Sequence, residues 1–406
     1  MFSRLFVLHL SSTTISALGS AAAPVAIAFT VLRLGGNAGG LGAVGVCGLG
    51  PALLFFLVGG VIADRWPRHL VLVGANSVSA VVQATLAVLV CTDRIQLWHL
   101  MLAAAVNGLC TAFAMPAAQG LLMRGVDRAK AGSAFALFRL GLNLAQIGGA
   151  ALGGLLFQAA GPGWVLVIDS ATFVIAVVIR LFMRIDGTIT VRGAALRDFV
   201  EGWREFRSHR WLGPVILQFA AINMLAVGAF ELVLGPLQAG AAGAWGTVLA
   251  CDAVGMVLGG LLLVRVKPTR LLVAALAGGG LTVLPMLSMA AGAPLVVICA
   301  AALLGGFGVE LFGVNLMTAL RQEVAPEKIS RVSSYQSLAA FGLTPVGVAV
   351  AGPLASALSV RATLSITSAL LLVAGAVAIA RPAVTRFVRS PAPASRSPRP
   401  AAPASP

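Results

Sequence analysis

The hydrophobic and polar residues alternate on a long scale, so that apolar stretches of about 20 or more residues are separated by short polar segments. A helix that crosses a bilayer needs about 20 largely apolar residues. Lipid offers no partners to exposed main-chain polar groups, which favours helices over irregular backbone. The pattern therefore predicts an all-α membrane protein with 12 transmembrane helices. Their approximate limits are 5–32, 39–63, 70–91, 96–123, 131–158, 163–183, 211–236, 241–265, 270–291, 294–320, 331–358 and 361–380.

Composition and charge support this interpretation. The chain is 59% hydrophobic and 10% charged, whereas soluble domains carry about 25% charged residues. Its net charge of +15 does not indicate nucleic-acid binding, because the basic residues lie between the apolar stretches. They divide 24 to 3 between the two sides, and such an excess marks the cytoplasmic side. We therefore expect both termini in the cytoplasm, and partners that include membrane lipid but no nucleic acid.

The longest polar loop divides the chain into six helices and six helices. We predict an N-terminal bundle at 1–183, a cytoplasmic linker at 184–210, a C-terminal bundle at 211–380 and a disordered cytoplasmic tail at 381–406. In the linker, apolar residues recur at helical spacing opposite charged ones, which predicts an amphipathic helix on the inner membrane surface. The tail is rich in Pro, Ala, Ser and Arg and has little apolar surface to bury.

The two halves resemble each other in sequence. Gly59–Arg65 precedes Gly259–Arg265 by 200 positions, and each stretch ends the second helix of its half. Further pairs match at an offset of 198: Gly149 with Gly347, Gly154 with Gly352, Val126 with Val324 and Lys130 with Lys328. Two six-helix pseudo-repeats around a central site are a layout of alternating-access transporters.

The loop after the second helix reads Gly-Val-Ile-Ala-Asp-Arg-Trp-Pro-Arg-His over residues 60–69. It resembles the signature loop of the major facilitator superfamily, Gly-x-x-x-Asp-Arg-x-Gly-Arg-Arg, and keeps Gly60, Asp64, Arg65 and Arg68. It departs from the signature at positions 67 and 69. The resemblance implies a conformational gate: Gly60 allows close helix contact, Asp64 faces a helix N-terminus, and the two arginines hold the cytoplasmic side closed.

A more diffuse resemblance extends from the first helix to the last. Ala112–Ala117 and Asp169–Phe173 are similar to segments of exporters of the enterobactin-exporter type and of related drug or macrolide efflux proteins. The antiporter motif of helix 5, Gly-Pro-x-x-Gly-Gly, is imperfect here, since Ala150 stands in place of Pro. The resemblance implies export of a small molecule in exchange for protons.

Ionisable residues inside transmembrane segments are costly, so each is a functional hypothesis. Glu231 and Asp252 are predicted on adjacent helices, where two carboxylates favour capture of a proton. Arg139 and Glu310 are predicted at similar depths, where they can form an ion pair. These four are our candidates for proton coupling or substrate binding, with structural pairing as the alternative for each.

The resemblance further implies that helices 1, 4, 7 and 10 line the substrate cavity. Their polar residues are candidate substrate contacts, and the alternative is hydrogen bonding between helices. These candidates are Thr13, Thr14, Asn107, Gln119, Asn223 and Asn315. No metal-ligand spacing, phosphate-binding loop or nucleophile–base pair is visible in the sequence, so we expect no cofactor, no metal and no enzymatic activity.

The sequence thus predicts a secondary active transporter in a bacterial cytoplasmic membrane. We expect a monomeric, proton-coupled exporter of an amphipathic drug, siderophore or secondary metabolite that works by alternating access. Two alternatives remain open at this stage. One is an importer or uniporter of the same fold, and the other is a membrane scaffold or sensor that transports nothing.

Overall fold

The computed structural model describes residues 3–65, 67–122, 126, 131–183, 204, 206–324 and 326–389. Within these ranges it does not describe the side chains at 56–65, 119–120, 131–133, 135–136, 139 and 326–341. The predicted amphipathic helix of the linker falls almost wholly in 184–203, and the end of the tail falls in 390–406. These two stretches, 184–203 and 390–406, lie outside the described residues.

The described residues form twelve long helices and a short one. The first six are α1 (Arg4–Arg33), α2 (Ala38–Arg65), α3 (Arg68–Cys91), α4 (Leu97–Leu122), α5 (Ala131–Ala160) and α6 (Pro162–Leu181). The next six are α7 (Leu212–Ala239), α8 (Ala242–Arg265), α9 (Leu271–Ala290), α10 (Leu295–Glu323), α11 (Pro326–Leu358) and α12 (Val360–Ile379). The short helix α13 is Pro382–Thr385. Helix α9 is interrupted at Thr282.

These helices have the length and composition of membrane spans. Eleven of them carry a sufficiently long apolar stretch among the described residues, and α11 contributes a shorter one at Gly342–Leu358. Large apolar side chains point outward, including Leu54 and Val296, which are 73% and 80% exposed. A soluble protein seldom exposes so much apolar surface, whereas lipid covers it without cost. The predicted all-α fold with 12 transmembrane helices is confirmed.

The helices of the two halves pack in equivalent ways. Helix α2 packs extensively on α4, as α8 packs on α10, and α1 packs on α5 and α6, as α7 packs on α11 and α12. A Cβ at Gly108 of α4 would overlap the carbonyl group of Gly48 in α2. A Cβ at Gly306 of α10 would likewise overlap the carbonyl group of Asp252 in α8. Gly108 and Gly306 are 198 positions apart, the offset that the sequence repeat predicts.

The repeated glycines make equivalent contacts. Gly149 of α5 meets the main chain of α1, and Gly347 of α11 meets the main chain of α7. The second glycine of each pair contacts the opposite half instead. A Cβ at Gly154 would lie 3.2 Å from the carbonyl oxygen of Ala242 in α8, and one at Gly352 would lie 3.2 Å from the Cα of Gly39 in α2. The two six-helix pseudo-repeats are therefore present in the structure as well as in the sequence.

Two helix pairs, α5 with α8 and α2 with α11, form most of the seam between the halves. In the predicted orientation, with both termini inside, the closest described contacts lie toward the outer ends of these helices. There Gly246 of α8 faces Ala150 and Gly154 of α5, and Gly45 of α2 faces Val348 of α11. No comparably extensive contact joins α4 to α10 within the described ranges. Among the described side chains, the two halves are thus in close contact toward the outer end of the seam.

The C-terminal bundle extends beyond its predicted end at residue 380. Val384 is fully buried, and the ring of Phe387 lies 5.2 Å from that of Trp211 at the start of α7. The main-chain N–H of Arg389 donates to the carbonyl of Thr269, 2.8 Å away. The prediction that disorder begins at residue 381 is therefore wrong for residues 381–389. The two apolar residues that hold this segment in place lie in a stretch of low-complexity sequence, so the sequence did not indicate that they are buried.

The glycine contacts give a stability prediction. We expect Gly108→Ala and Gly306→Ala each to destabilise the protein by about 1–3 kcal/mol, because an added methyl group overlaps a carbonyl group of the facing helix. Thermal unfolding of the purified protein in detergent measures this effect. Gly74→Ala is the control, since a Cβ there would meet nothing within 4 Å. Equal melting temperatures for all three variants would contradict the packing described here.

Candidate transport site and gate

Two acidic residues come together in the C-terminal half. Glu231 lies on α7 and Asp252 on α8, both half-buried, and their carboxyl groups are close enough for direct electrostatic interaction. Counting from Ala239 and Ala242, they lie about 12 Å and about 15 Å from the outer ends of their helices, at a rise of about 1.5 Å per residue. The structure therefore brings together the pair that the sequence suggested.

The surroundings of Asp252 are tightly packed. A Cβ at Gly305 of α10 would lie 3.5 Å from the Oδ1 atom of Asp252 and 3.4 Å from the ring of Pro285 in α9. Next to Glu231 in sequence, the ring of Phe230 meets that of Trp245 edge-on at 5.5 Å. Asp252 therefore lies where α8, α9 and α10 meet.

Glu231 lies in an unusual stretch of backbone. Residues Ile222–Leu234 of α7 form a π-helix between α-helical pieces at Leu212–Ala221 and Gly235–Ala239. At its end the N–H of Gly235 donates to the carbonyl of Phe230, five residues back. π-helical turns are rare and are frequent at functional sites. No sequence pattern distinguished this stretch from an ordinary α-helix.

Glu310 packs against the glycines that the repeat singled out. A Cβ added at Gly259 would lie 3.2 Å from the Cβ of Glu310. A Cβ added at Gly260 would lie 3.8 Å from the Oε1 atom of Glu310. These two glycines make room on α8 for the acidic side chain of α10. The side chain of Arg139 on α5 lies outside the described residues, so its pairing with Glu310 stays a prediction.

The gate motif spans the turn from α2 to α3. Gly60, Asp64 and Arg65 lie in the last turns of α2, and their side-chain contacts fall outside the described residues. Arg68 is the first residue of α3 and is half-buried. The motif is thus placed at the predicted inner ends of two neighbouring helices. Its role in gating stays a prediction.

The polar candidates of the N-terminal half point to different neighbours. The hydroxyl group of Thr13 accepts a hydrogen bond of 3.2 Å from Nη2 of Arg180. Thr14 faces α5, where a Cβ at Gly141 would lie 2.8 Å from its Oγ1 atom. Asn107 of α4 keeps a buried Oδ1 atom without a hydrogen-bond partner among the described residues. The side chain of Gln119 lies outside the described residues.

The polar candidates of the C-terminal half bond within their own helices. The side-chain amide of Asn223 donates to the carbonyl of Phe219, and that of Asn315 donates to the carbonyl of Leu311, both at 2.8 Å. Asn315 is only 2% exposed, so it does not face an open cavity. Asn223 is half-buried and remains the candidate of this half for a substrate contact.

A basic cluster in the N-terminal half was missed by the sequence analysis. Arg180, which lies within the predicted helix 163–183 but was not among our candidate residues, is 2% exposed, and its Nε and Nη1 atoms have no hydrogen-bond partner among the described residues. His9 is fully buried, contacts the carbonyl of Ala118 at 3.1 Å and stacks on Phe138 at 5.6 Å. The available signal was the apolar sequence on both sides of Arg180, which continues through Phe182.

Buried amides hold the centre of each half together. Gln83 of α3 donates to the carboxylate of Asp169 on α6, and a Cβ at Gly19 of α1 would overlap Asp169. In the other half, Gln218 of α7 donates to the carbonyl of Leu276 on α9 at 3.2 Å and lies against Gly375 of α12. These contacts join the first, third and sixth helix within each bundle, so they stabilise the halves themselves.

Twelve membrane helices in two equivalent halves, with close contacts between the halves along one seam and acidic groups within the membrane, define a membrane transporter of the alternating-access type. The chain belongs to the Major Facilitator Superfamily, whose family model matches residues 10–341. The resemblance seen in the sequence is therefore confirmed. Members of this family are transporters of small molecules rather than enzymes, as the sequence indicated.

Individual proteins resemble the chain over most of its length. The multidrug efflux pump Tap of Mycolicibacterium fortuitum is 26% identical over 383 residues, which cover 88% of this chain and 91% of Tap. Among solved structures, a variant of the nucleoside transporter NupG superposes with a TM-score of 0.69 at 14% identity, covering 93% of this chain and 99% of NupG. A bacterial homologue of the human lysosomal transporter Spinster, solved inward-facing and unoccupied, gives 0.64 at 16% identity, with coverage of 92% and 95%. At these identities the structures show the shared fold alone.

Proposed function

We propose that the chain is a proton-coupled exporter of amphipathic small molecules, such as drugs, siderophores or secondary metabolites, in the cytoplasmic membrane of a bacterium. The observation that carries this proposal is the similarity to a multidrug efflux pump over nearly the whole chain. The acid pair Glu231–Asp252 supports the coupling to protons, because an ionisable pair inside the membrane is a suitable proton carrier. The transporter acts as a monomer in this proposal.

We base the proposed transport mechanism on the contacts between the two halves. With the outer end closed, substrate enters from the cytoplasm and reaches the centre between α1, α4, α7 and α10. Rocking of the halves about the α5–α8 and α2–α11 contacts then opens the outer end. Protons bind the Glu231–Asp252 pair from outside, displace the substrate and leave on the inner side after the return. Exchange results because proton and substrate compete.

The remaining candidates have supporting roles in this proposal. Gly60, Asp64, Arg65 and Arg68 hold the inner end of the seam when the outer end is open, which alternating access requires. Glu310 lies where α10 meets α8, and Arg139 lies on α5, the helix of the other half that α8 contacts. An ion pair between Arg139 and Glu310 would form and break with the rocking of the halves.

Everted membrane vesicles test the direction and the energy source together. Vesicles that contain the protein should accumulate a fluorescent amphipathic cation when respiration acidifies their interior, and a protonophore should abolish the accumulation. Vesicles from cells without the gene are the baseline, and Gly74→Ala, a change in open space on α3, is the control for substitution as such.

Three results would reject this function. Accumulation that survives the protonophore would remove the proton coupling. Uptake only into right-side-out vesicles would make the protein an importer of the same fold. No flux of any compound in a panel of drugs, siderophores and metabolites, from protein shown to be folded, would favour a scaffold or sensor.

A further inference from the structure

A groove opens on the predicted inner side of the C-terminal half, between the start of α7 and the end of α12. Its volume is about 530 Å³, and it is lined by Arg210, Leu217, Val377, Arg381 and Pro382 among others. Gly213 also lines it, and a Cβ at Gly213 would meet nothing within 4 Å. The absence of a side chain at this position keeps the groove open.

The two arginines mark one end of the groove. Arg210 precedes α7 by two residues and Arg381 follows α12 by two residues, so both lie at the inner end of their helices. Both are exposed, and neither forms an ion pair within the described part of the chain. The phosphate groups of anionic lipids lie at this level of the inner leaflet, and basic pockets between transmembrane helices on the cytoplasmic side bind such headgroups.

The other end of the groove is apolar and faces lipid. Leu217 is 58% exposed and Val377 46% exposed. Leu370, Val373 and Val377 follow one another at helical spacing along α12, and all three are exposed. At about 1.5 Å per residue, this stripe extends roughly 10 Å from Val377 toward the membrane centre. An acyl chain whose headgroup is held by the arginines would lie along this stripe.

The wall of the groove is a fixed part of the fold. Pro382 and Ala383 belong to α13, which is anchored by the buried Val384 and by the contact of Phe387 with Trp211. The side-chain amide of Gln322 on α10 also donates to the carbonyl of Val388 at 3.0 Å. The segment after α12 is thus held in place, and with it the position of Arg381.

We propose that this groove binds one anionic phospholipid of the inner leaflet, with its phosphate between Arg210 and Arg381 and an acyl chain along Leu217 and Val377. The lipid links α7 to α12 and to the segment after it, and so stabilises the C-terminal half. This groove is remote from the acid pair, and lipid binding there does not depend on the direction or coupling of transport.

Reconstitution in nanodiscs tests this site. The wild-type protein should retain phosphatidylglycerol in native mass spectrometry, and its melting temperature should rise as phosphatidylglycerol replaces phosphatidylcholine. The double variant Arg210→Gln/Arg381→Gln should bind phosphatidylglycerol about 30-fold more weakly. Each basic residue near the membrane surface raises the affinity for an anionic lipid about 5- to 6-fold, and the two factors multiply. Arg321→Gln removes a charge from the exposed inner end of α10, outside the groove, and should behave as the wild type.

A second variant separates a specific site from general surface charge. Gly213→Leu fills the groove, keeps both arginines and replaces a poor helix former by a good one, so it should fold and still lose the bound lipid. The proposal is overturned if Gly213→Leu and the double variant both retain phosphatidylglycerol as the wild type does. It is also overturned if inorganic phosphate alone reproduces the rise in melting temperature, or if the groove is covered by a second protein chain.

Discussion

Replacing Glu231 with Gln and Asp252 with Asn together will make the substrate affinity of this transporter independent of pH. In the wild type, affinity should rise from mildly acidic to mildly alkaline pH, because protons on the pair compete with substrate. Coupling between two ligands is commonly about 5- to 150-fold, which sets the expected size of the effect. The neutral amides keep the shape of the carboxyl groups but bind no proton, so the double variant should bind substrate equally at both extremes.

The measurement is the dissociation constant of a fluorescent substrate for the purified protein at several pH values. Asp169→Asn is the matched control, since it removes a buried carboxylate whose partner is Gln83 in the other half. Its pH dependence should equal that of the wild type. If Glu310→Gln alone abolishes the dependence and the double variant keeps it, the proton site lies at Glu310 and not at the acid pair.

Gly246→Leu should shift the transporter toward a state open at its outer end. A Cβ at Gly246 would lie 2.9 Å from the carbonyl oxygen of Ala150 and from the Cα of Gly154, and the rest of a leucine side chain has no space there. Overpacking of this kind costs about 1–3 kcal/mol. The cost falls on the outer-closed state alone, so the ratio of outer-open to outer-closed molecules should rise by about 5- to 150-fold.

Distances between spin labels measure this shift. Labels at Asp93→Cys and Ala291→Cys, in a cysteine-free background, report the separation of the halves at the outer surface, where both residues are exposed. The long-distance population should grow in Gly246→Leu, and export should fall. Gly50→Leu is the control, because a Cβ at Gly50 meets nothing within 4 Å. Unchanged distances in Gly246→Leu would show that the α5–α8 contact does not hold the outer end closed.

The fold was largely predictable because the bilayer imposes a simple rule on sequence. Long apolar stretches and the one-sided distribution of basic residues gave twelve helices with limits within a few residues. The repeat of Gly149 and Gly154 at Gly347 and Gly352 indicated two equivalent halves. The structure shows why, since the first glycine of each pair contacts its own half and the second glycine contacts the opposite half. These signals depend on composition and spacing, which a sequence shows directly.

The candidate site was less predictable, because it depends on the directions of single side chains. Glu231 and Asp252 were paired from their helix positions alone, yet Asn223 and Asn315 turned out to bond within their own helices. Arg180 was not among the candidates although it is buried in α6. A helix boundary uncertain by one turn decides whether such a residue faces water or the protein interior. The packing of the segment 381–389 onto the C-terminal half was missed because it rests on two apolar side chains.

The wide turns of α7 have a consequence for how the acid pair is switched. A π-helix forms its hydrogen bonds between residues five apart instead of four, so this stretch is underwound relative to an α-helix. Tightening it into ordinary α-helical turns would rotate the residues near Glu231 around the helix axis and lengthen this part of α7. The carboxylate of Glu231 would then exchange one set of neighbours for another as the winding of α7 changed.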